Sequence, residues 1–175
     1  TAVGDNWTVY SKSFNIEHNS KNIIYVKVTD KVGNVGYASS NGIVLYTDAA
    51  QKTASISFKK MGTADVTAEV TLKGNTIGKI YCGDTLLTSG THYTVNGGTI
   101  TFKASWLNTF TAGDYTLTVH YNPLGVDYVS NGGNDDPATT TITLSVQKAT
   151  GSVEITNNIS KAYDGQPVPD VTYSS

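Results

Sequence analysis

Carboxylate and amide side chains recur along one long stretch of the sequence, residues 122–137. Calcium is bound by several oxygen ligands, which acidic and glycine-containing loops can supply. The oxygen donors in this stretch are Asp127, Asn131, Asn134, Asp135 and Asp136. Their spacing lacks the Asp-x-Asp-x-Asp order of a calcium-binding loop. We therefore expect a solvated loop and keep a calcium site at Asp127, Asp135 and Asp136 as the alternative.

Aromatic side chains are the second group that could bind a ligand, because their rings stack on the faces of sugars. The sequence contains 11 tyrosines and two tryptophans. The aromatic residues expected outside the core are Tyr81, Tyr93 and Tyr128, with Trp7 as a further candidate. They form no recognisable row along the sequence. We expect an aromatic core with scattered surface tyrosines, and glycan binding by these tyrosines is the alternative.

The residues that an active site needs are scattered. The chain has three histidines, which are His18, His92 and His120. They lie in different segments or strands, without cysteine or histidine partners at metal-ligand spacing. The glutamates are isolated, whereas glycoside hydrolysis needs two carboxyl groups that face each other across a cleft. The single Cys82 cannot form an internal disulfide. The sequence predicts a non-catalytic protein without a cofactor or a metal centre.

Charge and hydropathy exclude two further classes of protein. The net charge is −2, with 12 basic and 14 acidic residues, and every basic residue is lysine. Nucleic-acid-binding proteins cluster Lys and Arg on one face, and the sequence shows no such cluster. No apolar run approaches the roughly 18 residues of a membrane span. Few cysteines and many Thr, Ser, Asn and Gly residues favour an extracellular protein, of which this chain is expected to be a fragment.

The elements that must position these residues are strands. Residues 65–72, 114–121 and 141–146 alternate strictly between apolar and polar side chains. A period of two is typical of half-buried antiparallel strands, whose apolar faces meet in the core of a sandwich. The fold class is therefore predicted to be all-β.

Residues 51–148 are predicted to form one complete immunoglobulin-like sandwich. Seven alternating runs are expected to be its strands, at residues 54–58, 65–72, 77–81, 93–95, 99–103, 114–121 and 139–146. Asn96-Gly97-Gly98 predicts a tight hairpin turn. Residues 104–108 break the alternation and predict one helical turn, with Trp106 or Leu107 directed inward.

The flanking segments are predicted to be partial domains. Residues 1–50 show about three strands and a tight turn at residues 30–34, too few strands to close a sandwich. Residues 149–175 begin a third unit with a strand near residues 151–156. The predicted architecture is a tandem of immunoglobulin-like sandwiches, one complete and two partial, with neighbouring domains of the same chain as partners.

Three stretches resemble known families. Tyr25-Val-Lys-Val-Thr-Asp-Lys-Val-Gly-Asn34, followed by Gly42-Ile-Val44 and Asp48, resembles the C-terminal half of a bacterial Ig-like domain from Gram-positive surface proteins. Leu86-Leu-Thr-Ser-Gly-Thr-His-Tyr-Thr-Val95, with Val70-Thr-Leu-Lys-Gly-Asn75 and Thr99-Ile-Thr-Phe-Lys103, resembles the X-two family of carbohydrate-binding-like modules. His92 stands where that family usually has aspartate. Lys161-Ala-Tyr-Asp-Gly165 resembles the start of a Tyr-Asp-Gly adhesin repeat.

These resemblances imply Ig-like modules of a secreted or cell-wall-anchored, multidomain bacterial protein associated with polysaccharide. The function predicted first is that of a non-catalytic structural spacer. The alternative is a module that binds carbohydrate or cell-wall polysaccharide and is attached to a polysaccharide-degrading enzyme or an adhesin. Measurable affinity for an insoluble polysaccharide distinguishes the two.

Overall fold

A computed structural model describes residues 6–129, 136–151, 154–155, 165 and 173–174. Before the central sandwich, the described chain forms strands β1 (Ser20–Asn22), β2 (Tyr25–Thr29), β3 (Val35–Ser39) and β4 (Ile43–Leu45). β1 pairs antiparallel with β4, and β2 pairs antiparallel with β3. After the sandwich, β14 (Glu154–Ile155) pairs with β15 (Tyr173–Ser174).

The central part of the chain contains strands β5–β13. Their bounds are β5 (Ala50–Gln51), β6 (Ser55–Lys59), β7 (Val66–Thr71), β8 (Thr76–Cys82), β9 (Thr85–Leu86), β10 (Tyr93–Asn96), β11 (Thr99–Phe102), β12 (Gly113–Asn122) and β13 (Thr140–Gln147). The helix α1 (Ala104–Leu107) connects β11 to β12, and a 3-10 turn (Pro123–Gly125) follows β12. Within the described residues, no helix has the length and apolar character needed to span a bilayer.

Among the described residues, these strands form two facing sheets. One has the order β6-β13-β12-β8-β9 and the other β10-β11-β7-β5. β6 runs parallel to β13, and each remaining pair in these sheets is antiparallel. The chain enters through β5 in one sheet and crosses to the other at β6, as immunoglobulin-like sandwiches do. The prediction of an all-β sandwich is confirmed.

The core forms where the alternating strands turn their apolar side chains inward. The largest fully buried side chains are Phe102, Ile80, Ile100, Leu107, Leu117, Ile142, Leu144 and Val119. They come from both sheets and from α1, so the two layers and the helical turn enclose one interior. The alternation predicted for β7, β12 and β13 is confirmed by their burial patterns.

The two predicted local features of the sandwich are also confirmed. Gly97 and Gly98 connect β10 to β11, and Gly97 adopts a φ of 56°, which glycine tolerates without strain. In α1, Leu107 is fully buried and Trp106 is half-buried against the core. Asp65, which lies outside the helix, caps its N-terminus, because Oδ1 of Asp65 accepts a hydrogen bond from the Ala104 N–H at 2.9 Å.

A tyrosine corner closes the connection into β12. The Tyr115 hydroxyl donates to the Thr111 carbonyl at 3.1 Å. Tyr115 lies near the start of β12, the strand that follows the crossover from one sheet to the other. This return bond to the backbone is a hallmark of the immunoglobulin-like sandwich.

The hairpin of β2 and β3 depends on its turn. Asp30 Oδ1 accepts hydrogen bonds from the N–H groups of Val32 and Asn34, at 2.9 and 2.8 Å. These bonds, with one from the Asn34 side-chain amide as the largest contribution, lower the pKa of Asp30. The predicted turn is therefore confirmed, with Gly33 at a φ of 94°.

The division of the chain into domains at residues 1–50, 51–148 and 149–175 stays a prediction. The Tyr163-Asp164 pair, which carries the adhesin resemblance, lies outside the described residues.

Candidate functional site

A cleft of about 710 Å³ lies on the outer face of the five-stranded sheet. Its floor is formed by β8 and β12, and its rim by the connection that follows β12. β8 contributes Lys79 and Tyr81, and β12 contributes His120 and Asn122. The connection contributes Asp127, Tyr128, Val129, Asp136 and Pro137, and Gly78, Tyr121 and Thr139 complete the lining among the described residues.

Strand alternation places the two floor rings outward. Ile80 and Val119 are fully buried, so their neighbours Tyr81 and His120 point away from the core. Antiparallel pairing of β8 with β12 then brings the two rings together across the ladder. Their centroids are 5.1 Å apart and the ring planes are inclined at 60°. The result is an aromatic pair on the sheet surface.

A β-bulge interrupts the pairing of β8 with β12 next to the rim of the cleft. The register of β8 and β12 shifts between His120 and Tyr121, which leaves Gly78 without a direct partner. A Cβ atom at Gly78 would lie 2.6 Å from Oδ1 of Asn122, too close for any other residue without movement. The Asn122 side chain therefore lies across the strand at this glycine.

Asn122 fastens the connection to the sheet. Its Nδ2 donates to Oδ1 of Asp127 at 3.0 Å, and its Oδ1 accepts from the N–H of Tyr128 at 3.3 Å. The Tyr128 hydroxyl donates to the Asp136 carboxylate, which joins the two described flanks of the connection. Aromatic rings, carboxylates and an amide thus line one cleft together with Lys79. Such a set of groups suits a polyhydroxylated ligand.

The structure places two of the three expected glycan-binding tyrosines in this cleft. Tyr81 lies on its floor and Tyr128 on its rim. Tyr93 was expected outside the core and this is wrong, because it is 5% exposed and its ring packs 6.4 Å from that of Phe102. Tyr93 begins β10 on the inward face, and burial raises the pKa of its hydroxyl. Trp7 contacts Tyr37, with ring centroids 5.7 Å apart, and does not line the cleft.

The cleft also gathers part of the expected calcium set. Asp127 and Asp136 both line it, whereas Asp135 lies outside the described residues. Within the residues that the structure describes, no group of three or more His, Cys, Asp and Glu side chains could hold a metal ion. A solvated loop stays the prediction for this connection, with calcium binding as its alternative.

Sequence reasoning missed His120 as a cleft residue, since its strand position predicted only solvent exposure. No local pattern could have found it, because the pairing of β12 with β8, in which Lys79 is opposite His120 and Tyr81 is opposite Thr118, is set by the tertiary structure. His92 has a different role. Its Nδ1 accepts a hydrogen bond from the Thr88 N–H at 2.9 Å, and its ring stacks on Trp106 with centroids 5.6 Å apart.

Comparisons with known proteins concern this same part of the chain. Residues 51–131 match the family described as carbohydrate binding domain X2. The expected resemblance to the X-two family is thereby confirmed for those residues, which include Tyr81, His120, Asp127 and Tyr128. The bacterial Ig-like and adhesin resemblances of the flanks stay predictions.

Two curated proteins are similar to parts of the chain. Cellulose-binding protein A of Clostridium cellulovorans is 41% identical over 59 residues, which is 34% of this chain and 3% of that protein. Exoglucanase-2 of Thermoclostridium stercorarium is 31% identical over 88 residues, 47% of this chain and 10% of that protein. The chain therefore matches only a small part of each relative.

Among solved structures, a tri-modular GH5 (subfamily 4) endo-beta-1,4-glucanase from Bacillus licheniformis is 23% identical to this chain, with a TM-score of 0.45. The match covers 63% of this chain and 20% of that one.

Proposed function

We propose that the central sandwich is a non-catalytic module that binds a β-linked glucan such as cellulose in the cleft on its five-stranded sheet. The observation that carries the proposal is the pair of outward rings, Tyr81 and His120, in a cleft within the part that matches the X2 family. The names of the two relatives, a cellulose-binding protein and an exoglucanase, favour cellulose as the first ligand to test.

The chemistry of the cleft supports a sugar ligand. Aromatic rings offer an apolar face to the axial C–H groups of a pyranose, and stacking of this kind is directional. The Asp127 and Asp136 carboxylates and the Asn122 amide at the rim can accept or donate hydrogen bonds to sugar hydroxyls. The Lys79 amine adds donors beside the floor. A few polar groups around an aromatic surface are the usual composition of a small-molecule site.

The same contacts favour binding over hydrolysis. Asp127 accepts a hydrogen bond from Asn122, and Asp136 accepts one from Tyr128. Both carboxylates therefore hold the rim in place, whereas a glycosidase places two carboxyl groups on either side of the scissile bond. We infer that this module is attached to a polysaccharide-degrading enzyme and that another domain carries the catalysis. An extracellular location follows from the ligand, because insoluble polysaccharide lies outside the cell.

The test is retention of the full chain on microcrystalline cellulose, with chitin and peptidoglycan as further surfaces. Tyr81→Ala removes one ring of the floor and should weaken binding about tenfold, since an aromatic stacking contact contributes about 1.5 kcal/mol. Tyr25→Ala is the matched control, because Tyr25 is an exposed tyrosine of β2 that does not line the cleft. Its binding should equal that of the wild type. No retention on any of the three surfaces, or wild-type affinity in Tyr81→Ala, would refute the proposal.

A structural spacer is the second candidate function, and a specific observation favours it. The chain between β4 and β5 is bonded to the sandwich, since Nδ2 of Asn75 donates to the Thr47 carbonyl at 2.7 Å. Oδ1 of Asp48 accepts a hydrogen bond from the Ala138 N–H at 2.9 Å. Two polar bonds from consecutive residues to the sandwich favour a stiff attachment of this segment to the central unit. A chain without affinity for any polysaccharide, but with this segment ordered in solution, would be a spacer only.

A further inference from the structure

One buried amide connects the chain before the sandwich to the connection after β12. Asn75 lies in the turn between β7 and β8 and is 4% exposed. Its Nδ2 donates to the Thr47 carbonyl at 2.7 Å, and its Oδ1 accepts from the Leu124 N–H at 3.1 Å. Because a buried amide without partners is costly, these two bonds hold Thr47 and Leu124 at a fixed separation.

Asp48 follows Thr47 in the junction, the short segment between β4 and β5, and it contacts the other end of the connection between β12 and β13. Oδ1 of Asp48 accepts a hydrogen bond from the Ala138 N–H at 2.9 Å. In addition, Nζ of Lys21 in β1 donates to the Leu124 carbonyl at 3.3 Å. Two consecutive residues, Thr47 and Asp48, therefore hold both described flanks of the connection between β12 and β13.

Those flanks carry the rim of the cleft. Leu124 precedes Asp127 by three residues, and Ala138 follows Asp136 by two. Leu124 has a φ of 48° and a ψ of 33°, a left-handed conformation that side chains disfavour and that the surrounding contacts must maintain. The position of the rim thus depends on the contacts of Thr47, Asp48 and Asn75 in addition to those of Asn122 in β12.

We propose that the junction at Thr47 and Asp48 positions the rim of the polysaccharide cleft, with Asp48 and Asn75 as positioning residues for Asp127, Tyr128 and Asp136. This inference rests on the proposed function. A rim that is ordered before the ligand arrives spares the ligand the entropy of ordering it, so affinity depends on the junction. The preceding strands are then part of the binding unit, although they do not line the cleft.

The test uses the full chain with Asp48→Ala, which removes the acceptor for the Ala138 N–H. Amide hydrogen exchange of Tyr128, whose N–H is bonded to Asn122 and not to Asp48, should accelerate about tenfold, because loss of the bond at Ala138 loosens the flank that carries the rim. The Kd for microcrystalline cellulose and for soluble cellotetraose should rise about threefold to tenfold. Asp48→Asn keeps an acceptor oxygen and should restore both values. Asp114→Ala, which removes the same charge at the far end of β12, is the control and should match the wild type.

The two readouts separate this inference from the proposed function. Hydrogen exchange needs no ligand, so it decides the positioning of the rim even if the wild type fails to bind cellulose, a failure that would refute the proposed function. Unchanged exchange at the Tyr128 N–H in Asp48→Ala would overturn the inference, whatever happens at Ala138, because Ala138 loses its own acceptor in this variant. Accelerated exchange with wild-type affinity in a chain that binds would also overturn it, and so would an Asp48→Asn variant as impaired as Asp48→Ala.

Discussion

The contact between the β10–β11 turn and β7 supports a quantitative prediction. A Cβ atom at Gly98 would lie 2.3 Å from the Val70 carbonyl oxygen, whereas ordinary van der Waals contact begins at 3.4 Å. In Gly98→Ala the turn and the strand must therefore separate by about 1 Å. That movement stretches the hydrogen bond from the Val70 N–H to the Gly98 carbonyl, which is 2.9 Å long. Overpacking costs about 1–3 kcal/mol and the lost bond about 1 kcal/mol, so we expect a loss of about 2–4 kcal/mol.

Urea and thermal unfolding of the full chain, followed by tryptophan fluorescence and circular dichroism, measure this loss. For a domain of about 100 residues it corresponds to a fall in Tm of about 10–25 °C. Gly97 is the matched control in the same turn, because a Cβ there would meet nothing within 4 Å but its φ is 56°. Gly97→Ala should cost about 1 kcal/mol from backbone strain alone, and Gly97→Asn should be nearly neutral. A Gly98→Ala variant no less stable than Gly97→Ala would refute the reasoning.

Three further predictions concern side-chain contacts. Tyr115→Phe removes the bond to the Thr111 carbonyl and should cost about 1 kcal/mol in urea unfolding, and an unchanged midpoint would contradict the role of the tyrosine corner. His92→Ala should cost about 1 kcal/mol because the Thr88 N–H loses its acceptor, whereas His92→Asp should recover most of it, so equal losses in the two variants would disprove this role. The Ala104 N–H, and then Lys103, hold the pKa of Asp65 below its ordinary value of 3.8. The ionised form of Asp65 therefore stabilises the fold above pH 3.8, and this contribution is lost as the pH falls through the lowered pKa. The difference in unfolding free energy between wild type and Asp65→Asn should close below pH 3.8. A constant difference down to about pH 2 would contradict this role of Asp65.

Much of the sandwich could be predicted from local patterns. The alternation in β7, β12 and β13 identified the buried face because side chains of a strand point to opposite sides at every second residue. Gly97-Gly98 identified a hairpin because only a short turn with a positive φ joins two such strands directly. Each of these signals lies within about ten residues of the chain.

The burial of Tyr93 could not be predicted from local alternation. β10 has four residues, of which Tyr93 is buried and the other three are exposed. In so short a run, alternation does not reveal which end faces the core. The inward direction of Tyr93 depends on the pairing of β10 with β11, which brings its ring beside Phe102.

In the candidate site, too, some features could be predicted from local sequence patterns and others depend on strand pairing. The sequence by itself determined that Tyr81 and His120 lie on strands, and that residues 122–137 form a polar connection rich in oxygen atoms. Only the tertiary structure decided that β8 pairs with β12, so that the two rings, 39 positions apart, lie 5.1 Å from each other. It also decided that Asn75 connects Thr47 to Leu124. The physical reason is that local alternation sets which face of a strand is buried, whereas the neighbour of each strand is chosen by the packing of the whole sandwich.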